Sequence, residues 1–197
     1  MLSARLKPAV TRVITPVAST ALRLGITPNA VTWTGAIGVV FCAMYFYPRG
    51  DFFVGTLIIC VLALSDLFDG TMARISQSGS SKWGGFLDST MDRITDSAIL
   101  IGVTIFLINR DDPLASVVVV TLVTGMLVPY IRAKAESFGI ECKGGIAERT
   151  ERLIISLTAV GLDGLEVPYV LATGMWLLAV LGIFTVIQRM LIVKRAM

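Results

Sequence analysis

Five aspartates stand in or beside apolar helical sequence: Asp66, Asp69, Asp88, Asp92 and Asp96. An aspartate at the middle of a bilayer costs about 2.5–3.5 kcal/mol on insertion scales, so water, a cationic partner or a metal must offset it. Asp66 and Asp69 are three residues apart, and Asp88 and Asp92 are four apart. Either spacing puts both carboxylates on one helix face, about 5–6 Å apart at Cβ. Two such helices side by side converge four carboxylates on a small volume, and four anions do not crowd together uncompensated in a low dielectric. Hard divalent cations with oxygen ligands resolve the conflict. Mg²⁺ suits a site that also binds phosphates, with Mn²⁺ as the alternative. A pair of ions would brace a diphosphate and neutralise charge at a reacting phosphorus.

The other residues with chemical potential narrow the choice. The chain has no histidine, so a catalytic base is a carboxylate, Lys, Tyr or Cys. Cys42, Cys60 and Cys142 are odd in number and lack metal-ligand spacing; they read as small core residues. Small residues share the acid faces: Gly70 and Ala73 continue the Asp66–Asp69 stripe, and Gly84 lies one turn before Asp88. Helix packing alone accounts for small residues in membrane helices. On the acid face, the same glycines let a diphosphate approach the backbone.

These residues need helices to position them. Hydrophobic residues make up 55% of the 197, against about 45–50% in soluble domains, and the mean hydropathy is +0.80. Leu24 to Pro48, Pro113 to Ile131 and Val167 to Gln188 contain no charged residue, and runs of about 20 apolar residues cross a bilayer as helices. Turn chemistry at Pro48-Arg49-Gly50-Asp51, Ser78 to Ser81, Asn109 to Pro113, Gly144-Gly145 and Gly161 to Pro168 divides the chain. Six spans are predicted, at 29–47, 52–75, 84–108, 114–137, 150–162 and 167–190. Fifteen of the 17 Lys and Arg then fall on the side of the termini, with only Arg49 and Arg110 opposite. That asymmetry places both termini in the cytoplasm. The expected fold is all-α: a single membrane domain over 1–197, a six-helix bundle at 29–190 and an amphipathic interfacial helix at 1–23. In that helix Arg5, Lys7, Arg12 and Arg23 face lipid phosphates, with Pro8 and Pro16 as potential breaks.

Asp66-x-x-Asp69-Gly70-x-x-Ala73-Arg74, then nine residues, then Gly84-x-x-x-Asp88-x-x-x-Asp92 resembles the signature of the CDP-alcohol phosphotransferases at all eight fixed positions. The resemblance implies that Asp66, Asp69 and Asp88 are metal ligands. Asp92, at the edge of the metal site, would take the proton from an acceptor hydroxyl, whose oxygen attacks the β-phosphorus of a CDP-lipid and expels CMP. Gly70, Ala73, Arg74 and Gly84 would line the CDP pocket. Asn29 and Thr32, in Thr27-Pro28-Asn29-Ala30-Val31-Thr32, resemble part of the nucleotide site; the same segment reads as an N-terminal cap with proline in the first turn. Ser81 is a further nucleotide candidate. Asp96, outside the signature, reads as a partner for Arg93 or another cation. The resemblance also implies a homodimer.

A second cluster is cationic: Arg132, Lys134, Arg149, Arg152 and Arg189, all at predicted cytoplasmic helix ends. Arginine suits phosphate oxygens because it offers paired donors, but positive-inside bias alone also puts cations there, and Glu136, Glu148 and Glu151 could pair with them. The stretches Arg132 to Gly139, Gly145 to Ile155 and Gly174 to Val180 resemble the actinobacterial phosphatidylinositol-phosphate synthases within the family. That likeness implies CDP-diacylglycerol and an inositol phosphate as substrates, at the cytoplasmic face of the cell membrane. Arg132, Arg152 and Arg189 would then hold the acceptor phosphate, with Lys134 and Arg149 as second choices. Glycerol 3-phosphate is the rival acceptor. An ion path would need polar groups across the membrane, whereas the acids cluster on one side. A prenyltransferase would not need the Gly and Ala-Arg positions of the signature. Nothing points to nucleic acid.

Overall fold

The computed structural model describes residues 15–75, 81–142 and 149–197, and its side chains exclude Asp66 and Leu67. Every regular element among the described residues is helical. Helix α1 covers 15–23. It is followed by α2 (Pro28–Phe46), a 3₁₀ turn at Tyr47–Arg49, α3 (Phe52–Ala63), α4 (Ser65–Ile75), α5 (Lys82–Ile108), α6 (Leu114–Ser137), α7 (Arg149–Asp163) and α8 (Val170–Ala196).

Local chemistry explains the boundaries. The Thr27 hydroxyl accepts from the Ala30 N–H at 3.2 Å, with Pro28 as the first helical residue, which is the predicted cap of α2. Gly25 and Gly139 have φ of +80° and +73° and close α1 and α6; in each case the next N–H reaches back five residues, Ile26 to Ala21 and Ile140 to Ala135. The Asp112 carboxylate accepts from the Leu114 N–H at 2.8 Å and starts α6. The second expected span is not one helix: it breaks at Leu64 into α3 and α4. A side chain on Gly35 would meet Ser65 Oγ at 2.1 Å, so Ser65 occupies the space that this glycine leaves. The last helix runs six residues beyond the predicted end, to Ala196. Residues 1–14, the Ser78 to Ser80 part of one predicted turn, and Gly144 to Glu148 lie outside the described residues.

Four stretches are long and apolar enough to cross a membrane: Pro28–Arg49, Phe52–Ile75, Leu114–Ser137 and Val170–Ala196. The chain is therefore a multi-pass membrane protein. α5 has the length, at 27 residues, but carries Asp88, Asp92 and Asp96. α7 has 15 residues and rises about 22 Å, short of the roughly 30 Å hydrocarbon core.

The contacts gather into two compact units, one of 1–42 with 58–95 and the other of 43–57 with 96–197. In the first, Ala36 of α2 packs on Leu87 and Met91 of α5. Ala18 of α1 packs on Met72 of α4, with Leu22, Val31 and Phe68 around them. In the second, the Tyr47 and Thr56 hydroxyls are hydrogen-bonded at 2.9 Å, and the Phe52 and Phe106 rings meet edge-on at 4.6 Å. α8 packs closely on α6 and α7 through glycines. A Cβ on Gly174 would lie 2.4 Å from that of Ala159, and one on Gly182 would lie 2.3 Å from Thr124 Oγ1. Membrane helices associate by such contacts, because lipid is as apolar as leucine. Gly182→Val should cost about 1–3 kcal/mol of overpacking and lower the unfolding midpoint in detergent. An unchanged midpoint would contradict this contact.

Candidate active site

The first unit carries every residue of the aspartate signature. α4 contributes Asp69, which is 6% exposed. A carboxylate buried to that degree needs a donor, and the Thr32 hydroxyl of α2 supplies one, 2.5 Å from Asp69 Oδ2. Thr32, expected at the nucleotide, thus fixes the orientation of an expected metal ligand. No spacing rule could have joined the two, because 37 residues separate them. Asp88 is exposed on α5. Asp92, one turn further, has a side chain 15% exposed and an Arg93 Nη1 at 3.3 Å. Asp66 belongs to α4, but its side chain lies outside those described. Among the described side chains, no three carboxylates or thiols are gathered tightly enough to hold an ion.

The donor set nonetheless fits a hard divalent cation. It is made of carboxylate oxygens, and the most buried of those described, Asp69, is already oriented by a hydroxyl. Carboxylates oriented by a second hydrogen-bonding layer are the usual way to hold an ion firmly.

Beside the acids, Gly84 of α5 lets polar groups of neighbouring residues come up to the helix. The Gly84 N–H donates to Ser81 Oγ at 2.9 Å, so Ser81 caps the helix. A Cβ on Gly84 would meet Ser81 Oγ at 3.1 Å and Asn29 Oδ1 at 3.3 Å. Asn29 lies in the first turn of α2, so two helix N-termini meet at this glycine, and both present partial positive charge to an anion. On α4, a Cβ on Gly70 would find only Arg74 Nη1, at 3.9 Å. Arg74 is exposed and donates to Thr71 Oγ1 at 3.0 Å. Ala73, on the same helix, is half-buried. A valine at 84 would push against Asn29 and Ser81. Gly84→Val should therefore raise the KM for a CDP-lipid roughly tenfold or more through one or two lost polar contacts. An unchanged KM would remove Gly84 from the pocket.

In the second unit, the cations divide by environment. Arg132 pairs with Glu136 at 2.9 Å on the exposed face of α6. Lys134 Nζ sits 4.6 Å over the Phe138 ring. Arg149 opens α7 and pairs with Asp96 at 3.3 Å, so the cation beside Asp96 is Arg149, while Arg93 lies against Asp92. Arg152 and Arg189 come together on α6: Arg152 donates to the Gly125 carbonyl at 3.4 Å, and the buried Arg189 to the Val128 carbonyl at 2.6 Å.

The fold is that of a helical multi-pass protein with aspartates on α4 and α5 and glycines on the same two helices. The family model for CDP-alcohol phosphatidyltransferases matches residues 25–193, and the chain belongs to that family. Its relatives include the phosphatidylinositol phosphate synthase of Streptomyces avermitilis, 42% identical over 99% of this chain and 83% of that protein. That of Cutibacterium acnes is 39% identical over 94% of each. Among solved structures, Mycobacterium tuberculosis phosphatidylinositol phosphate synthase with CDP-DAG bound superposes with a TM-score of 0.87 at 40% identity, over 92% of this chain and 94% of that one. The same enzyme in complex with manganese and citrate gives 0.87 at 39% identity, over 92% and 88%.

Proposed function

We propose that this protein transfers the phosphatidyl group of CDP-diacylglycerol to an inositol phosphate, 1D-myo-inositol 3-phosphate, releasing CMP and phosphatidylinositol phosphate. The observation that carries the acceptor is the Arg152 and Arg189 pair on one stretch of α6, in a chain about 40% identical to synthases of that name. A phosphorylated acceptor needs such a pair, and arginine is the side chain that binds phosphate with directed donors.

In this reading Asp66, Asp69, Asp88 and Asp92 hold the divalent cation, Mg²⁺ in pairs or Mn²⁺. When bound, the metal neutralises diphosphate charge and stabilises the charge that develops during transfer. Asn29, Thr32, Ser81, Gly84, Gly70, Ala73 and Arg74 receive the CDP end of the lipid. Asp92 takes the proton from an inositol hydroxyl. The hydroxyl oxygen bonds to the β-phosphorus, and the bond from that phosphorus to the bridging oxygen breaks, so CMP leaves with that oxygen. Arg152 and Arg189 hold the acceptor's phosphate, with Arg132, Lys134 and Arg149 supplementing the positive field. Asp96 positions Arg149.

The same reading makes α5 and α7 membrane-crossing as well, giving six spans, one domain, and cytoplasmic termini and active site. The Lys and Arg asymmetry supports this orientation. The N-terminal segment lies on the membrane surface, and the protein works as a homodimer.

The test is CMP release by the purified protein with CDP-diacylglycerol and Mg²⁺, offering inositol 1-phosphate, glycerol 3-phosphate or free inositol in turn. Release with the inositol phosphate alone is expected. Release with glycerol 3-phosphate instead would keep the aspartate chemistry and overturn the acceptor. Silence with all three would end the assignment.

A further inference from the structure

α6 carries a proline, Pro129, in its interior. Proline has no N–H, so the carbonyl four residues before it is left without its helical donor, and the ring pushes that carbonyl away from the axis. Here that carbonyl belongs to Gly125, the one to which Arg152 Nη1 of α7 donates. The carbonyl immediately before the proline, that of Val128, receives Arg189 Nη1 of α8. Both arginines therefore land on the disturbed turn. Gly125 has no side chain to screen its backbone, and apart from its chain neighbours and the adjacent backbone of α6 no heavy atom lies within 4 Å of the position where its Cβ would be.

We infer that Pro129 is a positioning residue for the acceptor-phosphate pocket: by breaking one helical hydrogen bond, it turns the Gly125 carbonyl into an anchor that aims the Arg152 guanidinium. The inference rests on the assignment of Arg152 and Arg189 to that pocket. A guanidinium is a planar fork, so fixing one of its N–H groups fixes the direction of the others. An arginine held in advance loses less conformational freedom when phosphate arrives. Alanine at position 129 restores the N–H, returns the Gly125 carbonyl to its helix and removes the reason for Arg152 to rest there.

The experiment is steady-state kinetics of Pro129→Ala in the full chain, with CDP-diacylglycerol and inositol 1-phosphate varied separately. The expected result is a KM for inositol 1-phosphate raised roughly five- to tenfold, as for one ordinary hydrogen bond, with kcat and the KM for CDP-diacylglycerol within about twofold of the parent. On an Arg152→Ala background, Pro129→Ala should add almost nothing, because both changes remove one interaction. A fall in kcat with the acceptor KM unmoved overturns the inference, as does a full additive loss on the Arg152→Ala background. If Pro129→Ala does not fold, Pro129→Gly restores the same N–H, and with it the bond to the Gly125 carbonyl, without adding a side chain, and is held to the same outcomes. Should Arg152→Ala and Arg189→Ala both leave the acceptor KM unchanged, the pocket assignment falls and takes this inference with it. Should they raise it while neither Pro129 variant does, only the positioning role fails.

Discussion

Asp92→Asn lowers CMP release by about 10²–10⁴, the usual contribution of a positioned general base, while CDP-diacylglycerol binding stays near that of the parent. Asparagine keeps the shape of the side chain and one acceptor oxygen, but it has no basic carboxylate to take the acceptor's proton. The Asp92 side chain is 15% exposed, so an acceptor hydroxyl can reach it, and Arg93 lies 3.3 Å away and keeps it ionised, ready to accept a proton. The measurement is single-turnover CMP release alongside equilibrium binding of the CDP-lipid. Turnover within a few fold of the parent would remove Asp92 from the base role, whereas loss of binding and turnover together would make it a metal ligand first.

Asp69→Ala should have a comparable effect by a different route. The carboxylate is 6% exposed and hydrogen-bonded to Thr32, so removing it deletes a fixed oxygen from the cation site and leaves the Thr32 hydroxyl to find a new acceptor. Several kcal/mol of charge stabilisation depend on a bound ion, and each 1.36 kcal/mol is tenfold in rate. A loss of at least about 10³ in kcat/KM is therefore expected, with Mn²⁺ affinity, read by titration, falling in step. Thr32→Val separates the two roles open to that hydroxyl. If it orients Asp69, Mn²⁺ affinity falls about 10- to 100-fold, as for other partners that orient metal ligands. If Mn²⁺ binds as before and only the KM for CDP-diacylglycerol rises, the hydroxyl serves the nucleotide. Full activity in Asp69→Ala would take Asp69 out of the metal site altogether.

The sequence alone determined a good deal. Hydropathy and turn residues placed α6 at its observed bounds and α5 and α7 within about two residues, because charge-free runs and helix-ending glycines and prolines act locally. The spacing of Asp66 and Asp69, and of Asp88 and Asp92, is that of neighbours along one helix, and each pair does lie on one helix, α4 and α5, since the 3.6-residue period is a property of the backbone itself. The Thr27–Pro28 cap was legible for the same reason.

Tertiary structure decided which side chains meet. Thr32 joins Asp69 across 37 residues, and Asp96 joins Arg149 across 53; no periodicity relates positions on helices so far apart in the chain. The positive-inside bias accounts for all five cations alike, and only the family resemblance ranked Arg132, Arg152 and Arg189 ahead of Lys134 and Arg149. Packing separated them: it left Arg132 in a surface pair with Glu136 and drew Arg152 and Arg189 onto α6. The break at Leu64 had no turn residue to announce it, since the space that Ser65 fills is set by Gly35 on another helix. Pro129 stands inside α6, but a missing N–H identifies only the carbonyl that is released. Which arginine takes that carbonyl depends on how α7 and α8 lie against α6, and that is a property of the fold.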